Sequence, residues 1–231
     1  MAESSPQSVY DVATARRELL RYARKIADRL LVVGPGGNTS ARAGENVIVV
    51  KASGCAFEDC TEGDFIPIDM TTGEVMGSER KPTCEIHMHL ACYARRPDIH
   101  AVIHTHPPTA TGVASTGQSL PPLFPDLVAL VGAEIPVLPY IVPAGMKLAN
   151  AVAPLIEDHD AVLLGNHGVL TVGSNLREAY FRNLIIEEAA KTWLAAKAAG
   201  SPYILSAAQV DEVFHLQAED YRRALLRGEI A

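Results

Sequence analysis

Residues 161–172 read AVLLGNHGVLTV, and this stretch decides the fold class. Two short apolar runs, 161–164 and 169–172, flank a turn whose two glycines permit a tight reversal of the chain. The pattern predicts two strands around a tight turn. His167 lies in that turn, so we expect its side chain at the edge of a β-sheet.

Further strands and helices are predicted on both sides of this hairpin. Apolar and β-branched runs predict strands at 47–50, within 62–77, at 100–104 and at 135–141. Apolar positions spaced by three and four, together with caps and breakers, predict helices at 12–31, 84–96, 108–115, 147–156, 174–200 and 206–228. Residues 34–38 and 121–125 are predicted as loops. The alternation predicts one α/β domain over residues 1–231, with 1–10 as a flexible lead-in.

Composition and charge argue against several classes of protein. The 27 acidic residues outnumber the 20 basic ones, which gives a net charge of −7 and disfavours a nucleic-acid-binding surface. No apolar stretch approaches the ~18 residues of a membrane span, and the polar N-terminus does not resemble a secretory signal. The four cysteines form no C-x-x-C pair, which favours free thiols. We therefore expect a cytoplasmic protein without nucleic-acid or membrane partners.

Three histidines are candidates for a metal site. His104 and His106 are two residues apart, so on a strand they point to the same face and can bind one divalent ion. The alternative is a pair of solvated histidines in a loop. His167 would complete the three-ligand pattern of catalytic zinc, although spacing alone does not show that the three meet.

Glu85 is the candidate for proton transfer. It follows Lys81-Pro82-Thr83-Cys84 and lies in the first turn of a predicted helix, where the helix dipole by itself favours a carboxylate. Beside a metal, the same carboxylate can act as a fourth ligand or as a base. His87 and His89 on this helix are about 200° apart and cannot chelate one ion, so we expect structural or supporting roles for them.

Two glycine-containing segments are candidates for binding an anion. Residues 36–40 (GGNTS) and 52–54 (ASG) combine backbone N–H groups with small polar side chains, which can form a concave phosphate site. Each is also compatible with an ordinary turn, and neither matches a Walker or dinucleotide motif. The candidate phosphate-binding residues in these two segments are Asn38, Thr39, Ser53 and Gly54.

Taken in order, these motifs resemble the class II aldolase/adducin family, in the branch of L-fuculose-phosphate aldolase. The resemblance covers about residues 12–200 and includes Pro139-Tyr140 and Asn166-His167-Gly168-Val169. It implies a three-layer α/β fold with a central, mostly antiparallel sheet flanked by helices, and a homotetramer with active sites at subunit boundaries. It also implies zinc, or another divalent ion such as Mn²⁺, at His104, His106 and His167, with Glu85 as ligand and proton-transfer group.

The implied reaction is reversible cleavage of a phosphorylated ketose into dihydroxyacetone phosphate and an aldehyde, through a metal-stabilised enediolate. Asn38, Ser53, Gly54 and Thr83 match the region of the family that holds the substrate phosphate.

The sequence also departs from the fuculose-phosphate branch. Thr83 and Cys84 stand where that branch has serine, and residues 123–126 (LFPD) contain no tyrosine. Lys51 begins the motif Lys-Ala-Ser-Gly and resembles the lysine that begins the corresponding motif of the ribulose-phosphate epimerase branch. Tyr221 is a candidate for a second family tyrosine.

Alternative functions within the same fold are a decarboxylase of a 3-oxo sugar-acid phosphate or related oxo-acid, and a sugar-phosphate 4-epimerase or dehydratase. An adducin-like assembly domain is the non-enzymatic alternative. The retained histidines and Glu85 favour an enzyme.

Overall fold

The computed structural model describes residues 10–230, which form one seven-stranded β-sheet with α-helices on both faces. Most of the predicted lead-in, residues 1–9, lies outside the described residues. The strands are β1 Asn38–Arg42, β2 Val47–Lys51, β3 Phe65–Asp69, β4 Ala101–Thr105, β5 Val137–Leu138, β6 Ala161–Leu164 and β7 Gly168–Gly173. The helices are α1 Val12–Asp28, α2 Ile86–Arg95, α3 Pro108–Ala114, α4 Pro125–Leu130, α5 Gly145–Asp158, α6 Leu176–Ala199, α7 Ala207–Phe214 and α8 Gln217–Arg227.

The sheet is mostly antiparallel, as predicted. Its strand order is β3-β2-β1-β4-β7-β6-β5, and only the β5–β6 pair is parallel. The central strand β4 pairs with β1 on one side and with β7 on the other. In this register Asn38 lies opposite His104, and Thr105 lies opposite Val169. Asn38 of β1 and His104 of β4 therefore lie side by side at one end of the sheet, next to the start of β7.

The helices form two outer layers, which completes the predicted three-layer architecture. Because successive strand residues face opposite sides, Val102 packs with α2 and α5, whereas Ile103 packs with α1 and α6. Helices α3 and α4 extend the second layer over β6 and β7. Each fully buried large apolar side chain contributes about 1.5–3 kcal/mol, so both layers hold the central strands firmly.

Several predicted elements differ in their bounds from the observed ones. The strand predicted at 135–141 contains only Val137–Leu138, and the loop at 121–125 ends where Pro125 begins α4. The predicted last helix is two helices, because α7 ends at Phe214 and α8 begins at Gln217. The capping box of Ser206 and Gln209 and the terminating Gly228 are both observed.

The prediction of a loop through Asn38 is wrong, because residues 38–42 form the inner strand β1. The glycines before it favoured a turn, and the polar sequence NTSAR shows no apolar alternation. The polar side chains are buried because each has a partner. Asn38 and Ser40 bond to side chains of α2, while Thr39 donates to the Val102 carbonyl oxygen.

Within residues 10–230, none of the helices has both the length and the apolar character needed to cross a bilayer.

Candidate metal centre

His104 provides the most deeply buried nitrogen of the site. It lies near the end of β4 and is fully buried. Its Nδ1 lies 3.0 Å from the carbonyl oxygen of Val169, and because a carbonyl only accepts, Nδ1 carries the proton. The lone pair is therefore on Nε2. Burial lowers the pKa of His104 well below its usual range, which keeps the ring neutral.

His106 and His167 bring two further nitrogens to the same point. The Nε2 atoms of His106 and His167 lie 3.0 Å and 3.2 Å from that of His104. Close packing of strand β7 permits this approach, because a Cβ on residue 168 would clash with the Thr105 carbonyl and with the His106 ring. Glycine at position 168 is therefore required by the site itself.

The three histidines fit a divalent ion. All their ligand atoms lie within 4.8 Å of one another. Two nitrogens bound to one tetrahedral zinc at 2.0–2.1 Å are about 3.3 Å apart, close to the spacings observed here. The single lone pair on His104 Nε2 cannot accept well from two neighbouring imidazoles, whereas a cation between the rings satisfies all three. Burial also lowers the pKa of His106 and of His167, and neutral imidazole is the form that binds metal.

Glu85 faces the histidine cluster. Its Oε2 lies 3.3 Å from His104 Nε2, and its Oε1 lies 3.4 Å from His167 Nε2. The carboxylate is 95% buried, since its side chain is 5% exposed. Oε2 accepts a hydrogen bond from Asn38 at 2.8 Å, but Oε1 is buried without a hydrogen-bond partner in the described structure. Oε1 is therefore the oxygen available to a ligand.

The candidate phosphate residues fall into two groups. Ser53 and Thr83 are on adjacent segments. The Ser53 N–H donates to the Lys81 carbonyl oxygen, and the Thr83 N–H donates to the Lys51 carbonyl oxygen. The Thr83 hydroxyl accepts a hydrogen bond from the Glu85 backbone N–H at 3.3 Å, which links the segment of Ser53 and Thr83 to the residue that carries the carboxylate. Ser53 and Gly54 are exposed, and Gly54 has a left-handed φ of +80°, which the turn requires.

The other two candidates are on β1 and are more constrained. Both ends of the Asn38 amide already form hydrogen bonds, the nitrogen to Glu85 and the oxygen to His89, although the nitrogen carries a second N–H. The Thr39 side chain points to the opposite face of the sheet, is fully buried and bonds to Val102. The Thr39 hydroxyl therefore lies on the face opposite to the histidines, which argues against a phosphate contact by this side chain.

The structure also places the residues in which the chain departs from the family pattern. Lys51 faces away from the histidines, with Nζ 5.2 Å from the centre of the Phe57 ring, and burial lowers its pKa. Tyr221 on α8 is 61% exposed. Phe124 precedes α4.

Sequence reasoning missed two residues close to this site. Ser40 and Tyr93 belong to a hydrogen-bonded chain behind Glu85. The spacing of four between Glu85, His89 and Tyr93 on one helix face could have indicated it.

The comparison with known families decides the classification. The Class II Aldolase and Adducin N-terminal domain matches residues 17–194. The chain belongs to this family. Its fold is that of a solved L-fuculose 1-phosphate aldolase, with a TM-score of 0.82 and 31% identity over 90% of this chain and 96% of the other.

Two curated relatives show the range of chemistry among class II aldolase family members. The 5-deoxy-D-ribulose 1-phosphate aldolase of Bacillus thuringiensis serovar kurstaki is 34% identical, covering 82% of this chain and 89% of its own. The 3-oxo-tetronate 4-phosphate decarboxylase of Haemophilus influenzae is 31% identical, covering 77% of this chain and 86% of its own. The chain is thus an enzyme of the class II aldolase type, and the specific reaction is a separate question.

Proposed function

We propose that this class II aldolase is a divalent-metal-dependent lyase that cleaves a phosphorylated ketose, of the L-fuculose 1-phosphate type, into dihydroxyacetone phosphate and an aldehyde. The observation that carries the proposal is the meeting of three imidazole nitrogens with Oε1 of Glu85, which has no hydrogen-bond partner within residues 10–230. Zinc is the proposed ion, with Mn²⁺ as the alternative.

Each side chain has a distinct role in this proposal. A divalent ion held by His104, His106 and His167 supplies a Lewis acid that stabilises negative charge on the substrate oxygens. The bond between carbons 3 and 4 breaks, and its electron pair stays on carbon 3. As the aldehyde forms, the hydroxyl on carbon 4 passes its proton to the ionised Oε1 of Glu85, and the same oxygen then delivers that proton to carbon 3, so the carboxylate ends ionised as it began.

The phosphate is proposed to lie against Ser53, Gly54 and Thr83, with the second N–H of Asn38 nearby. The link from Thr83 to the Glu85 backbone supports this placement, because it joins the phosphate corner to the catalytic carboxylate. Holding the phosphate fixes the orientation of the reacting carbons relative to Glu85.

A decarboxylase of a 3-oxo sugar-acid phosphate is the second candidate. The departure that favours it is the stretch 123–126, which contains no tyrosine. Cleavage to an aldehyde needs a group that takes the hydroxyl proton, whereas CO₂ departs without a proton transfer. The Haemophilus relative named as a decarboxylase also supports this alternative.

A single catalytic domain, a homotetramer with sites at subunit boundaries and a cytoplasmic location are further parts of the proposal. Leu30 and Val33 are 69% and 83% exposed. They lie next to the site, because the Leu31 carbonyl oxygen in the same loop accepts a hydrogen bond from the His106 N–H. Exposed apolar side chains beside the site support a subunit contact there. The free cysteines are compatible with a reducing compartment.

The test is to incubate the zinc-loaded enzyme with L-fuculose 1-phosphate, 5-deoxyribulose 1-phosphate and a 3-oxo-tetronate 4-phosphate. Release of dihydroxyacetone phosphate from a ketose 1-phosphate is the expected result. Release of CO₂ from the oxo-acid, without cleavage of either ketose phosphate, would establish the second candidate instead.

A further inference from the structure

A chain of hydrogen bonds runs from Glu85 into the core, away from the histidine cluster. Asn38 Nδ2 lies 2.8 Å from Glu85 Oε2, and Asn38 Oδ1 lies 2.5 Å from His89 Nε2. His89 Nδ1 lies 2.7 Å from Ser40 Oγ, which lies 2.9 Å from the Tyr93 hydroxyl. All five residues are buried, so water does not compete for these bonds.

These side chains alternate between a helix and a strand, and the residue spacing of each element places them on facing sides. Glu85, His89 and Tyr93 are four residues apart, so they share one face of α2 and of the turn that precedes it. Asn38 and Ser40 are two apart on β1, so both point to the layer that contains α2. Each residue of the strand thus lies between two residues of the helix face.

The direction of every bond follows from the carboxylate. An ionised carboxylate only accepts, so the Asn38 nitrogen faces Glu85 and the Asn38 oxygen faces His89. His89 must then carry its proton on Nε2. Complete burial lowers the pKa of His89 to about 3, so the ring is neutral and Nδ1 accepts from the Ser40 hydroxyl. The Ser40 oxygen in turn accepts from Tyr93.

The hydrogen-bond chain gives the two oxygens of Glu85 different environments. Oε2 is held by Asn38, while Oε1 has no hydrogen-bond partner in the described structure and lies on the side of His167. If the Asn38 amide were reversed, its oxygen would face Oε2 and repel it. The orientation of Asn38 therefore decides whether the carboxylate is held in place, and the Nε2–H of His89 stabilises that orientation, because the oxygen of the amide can accept it and the nitrogen cannot.

We propose that His89 is a positioning residue that, acting through Asn38, holds Oε2 of Glu85 and so directs Oε1 towards the three histidines. The catalytic consequence rests on the proposed function of Glu85 in proton transfer. The positioning itself is a property of the protein without substrate.

The kinetic test compares His89→Leu with His89→Gln. Leucine removes the donor to Asn38, whereas glutamine can place an N–H near the position of Nε2. We expect kcat of His89→Leu to fall by roughly 10–100-fold, the range typical of groups that orient a metal site, with KM nearly unchanged. His89→Gln should recover most of the lost kcat. Equal loss in both variants, with both folded by circular dichroism, would overturn the positioning role.

A second readout needs neither metal nor activity. In the full chain labelled with ¹⁵N-histidine and freed of metal, long-range ¹⁵N–¹H correlation identifies the tautomer of each ring, and His89→Gln assigns the His89 signals. We expect the neutral tautomer with the proton on Nε2. A proton on Nδ1 would contradict the proposed direction of the chain, even if His89→Leu failed to fold.

The two proposals fail in different ways. If the enzyme cleaves no ketose phosphate, the proposed function is wrong, but the tautomer experiment still decides the positioning of Asn38. If cleavage is observed and kcat of a folded His89→Leu is normal, only the positioning role is wrong.

Discussion

The two ends of the candidate site are built differently. At the metal end, fully or largely buried side chains on and beside paired strands are held by specific bonds, such as that of His104 to Val169. At the proposed phosphate end, Ser53 and Gly54 form an exposed turn. We therefore propose that the metal end is organised before a ligand arrives, whereas the phosphate end is completed by the ligand. Changes at the first should affect chemistry, and changes at the second should affect substrate binding.

The largest effect is expected at the metal end for His106→Ala. Removal of one of three imidazoles leaves only two histidine ligands, so bound metal should fall far below one ion per chain and activity should fall to background. Metal analysis after gel filtration, with a cleavage assay, measures both. His215→Ala changes a histidine that is 77% exposed and should leave both values unchanged. Full metal content in His106→Ala would refute the assignment.

Glu85→Gln should separate metal binding from proton transfer. The amide keeps the shape of the side chain and an oxygen for Asn38, but it cannot exchange a proton with carbon. We expect metal to be retained and kcat to fall by about 10²–10⁴-fold, the range of general acid–base catalysis. Glu58→Gln, at an exposed position, is the matched control. Unchanged kcat in Glu85→Gln would exclude the carboxylate from proton transfer.

Ser53→Ala tests the phosphate end. Loss of a hydrogen bond to a charged group costs about 1.5–3 kcal/mol, so KM for a phosphorylated ketose should rise roughly tenfold or more. We expect kcat to change little, because the metal end is untouched. Ser201→Ala provides an exposed serine elsewhere as control. A fall in kcat at constant KM would place Ser53 in the chemistry and remove the contrast between the two ends.

The smallest effect is a pH dependence of stability at the metal end. The pKa of His89 is lowered from 6.5 to about 3 by burial, so the unfolded chain takes up a proton below pH 6.5 that the folded chain does not. Stability is therefore lost as the pH falls from about 6.5 towards 3. Urea unfolding of the metal-free protein at pH 7.5 and 5 should show a larger loss for the wild type than for His89→Gln. Identical losses would contradict a neutral, buried His89.

The metal end was largely predictable from the sequence, whereas the strand behind it was not. His104 and His106 follow an apolar run, and His167 lies in a glycine-flanked turn, so local patterns indicated strand ends. Strand β1 gave no such signal, because the buried partners of Asn38, Thr39 and Ser40 come from distant parts of the chain. The register that places Asn38 opposite His104 is likewise a property of the folded sheet.

The most direct test of the central claim is a crystal structure of the zinc-loaded protein with anomalous diffraction at the zinc edge. We predict one zinc per chain, bound by the Nε2 atoms of His104, His106 and His167 at about 2.0–2.1 Å, with Glu85 Oε1 on the same side. A zinc peak at other residues, or an active enzyme with no metal at these three nitrogens, would contradict the account.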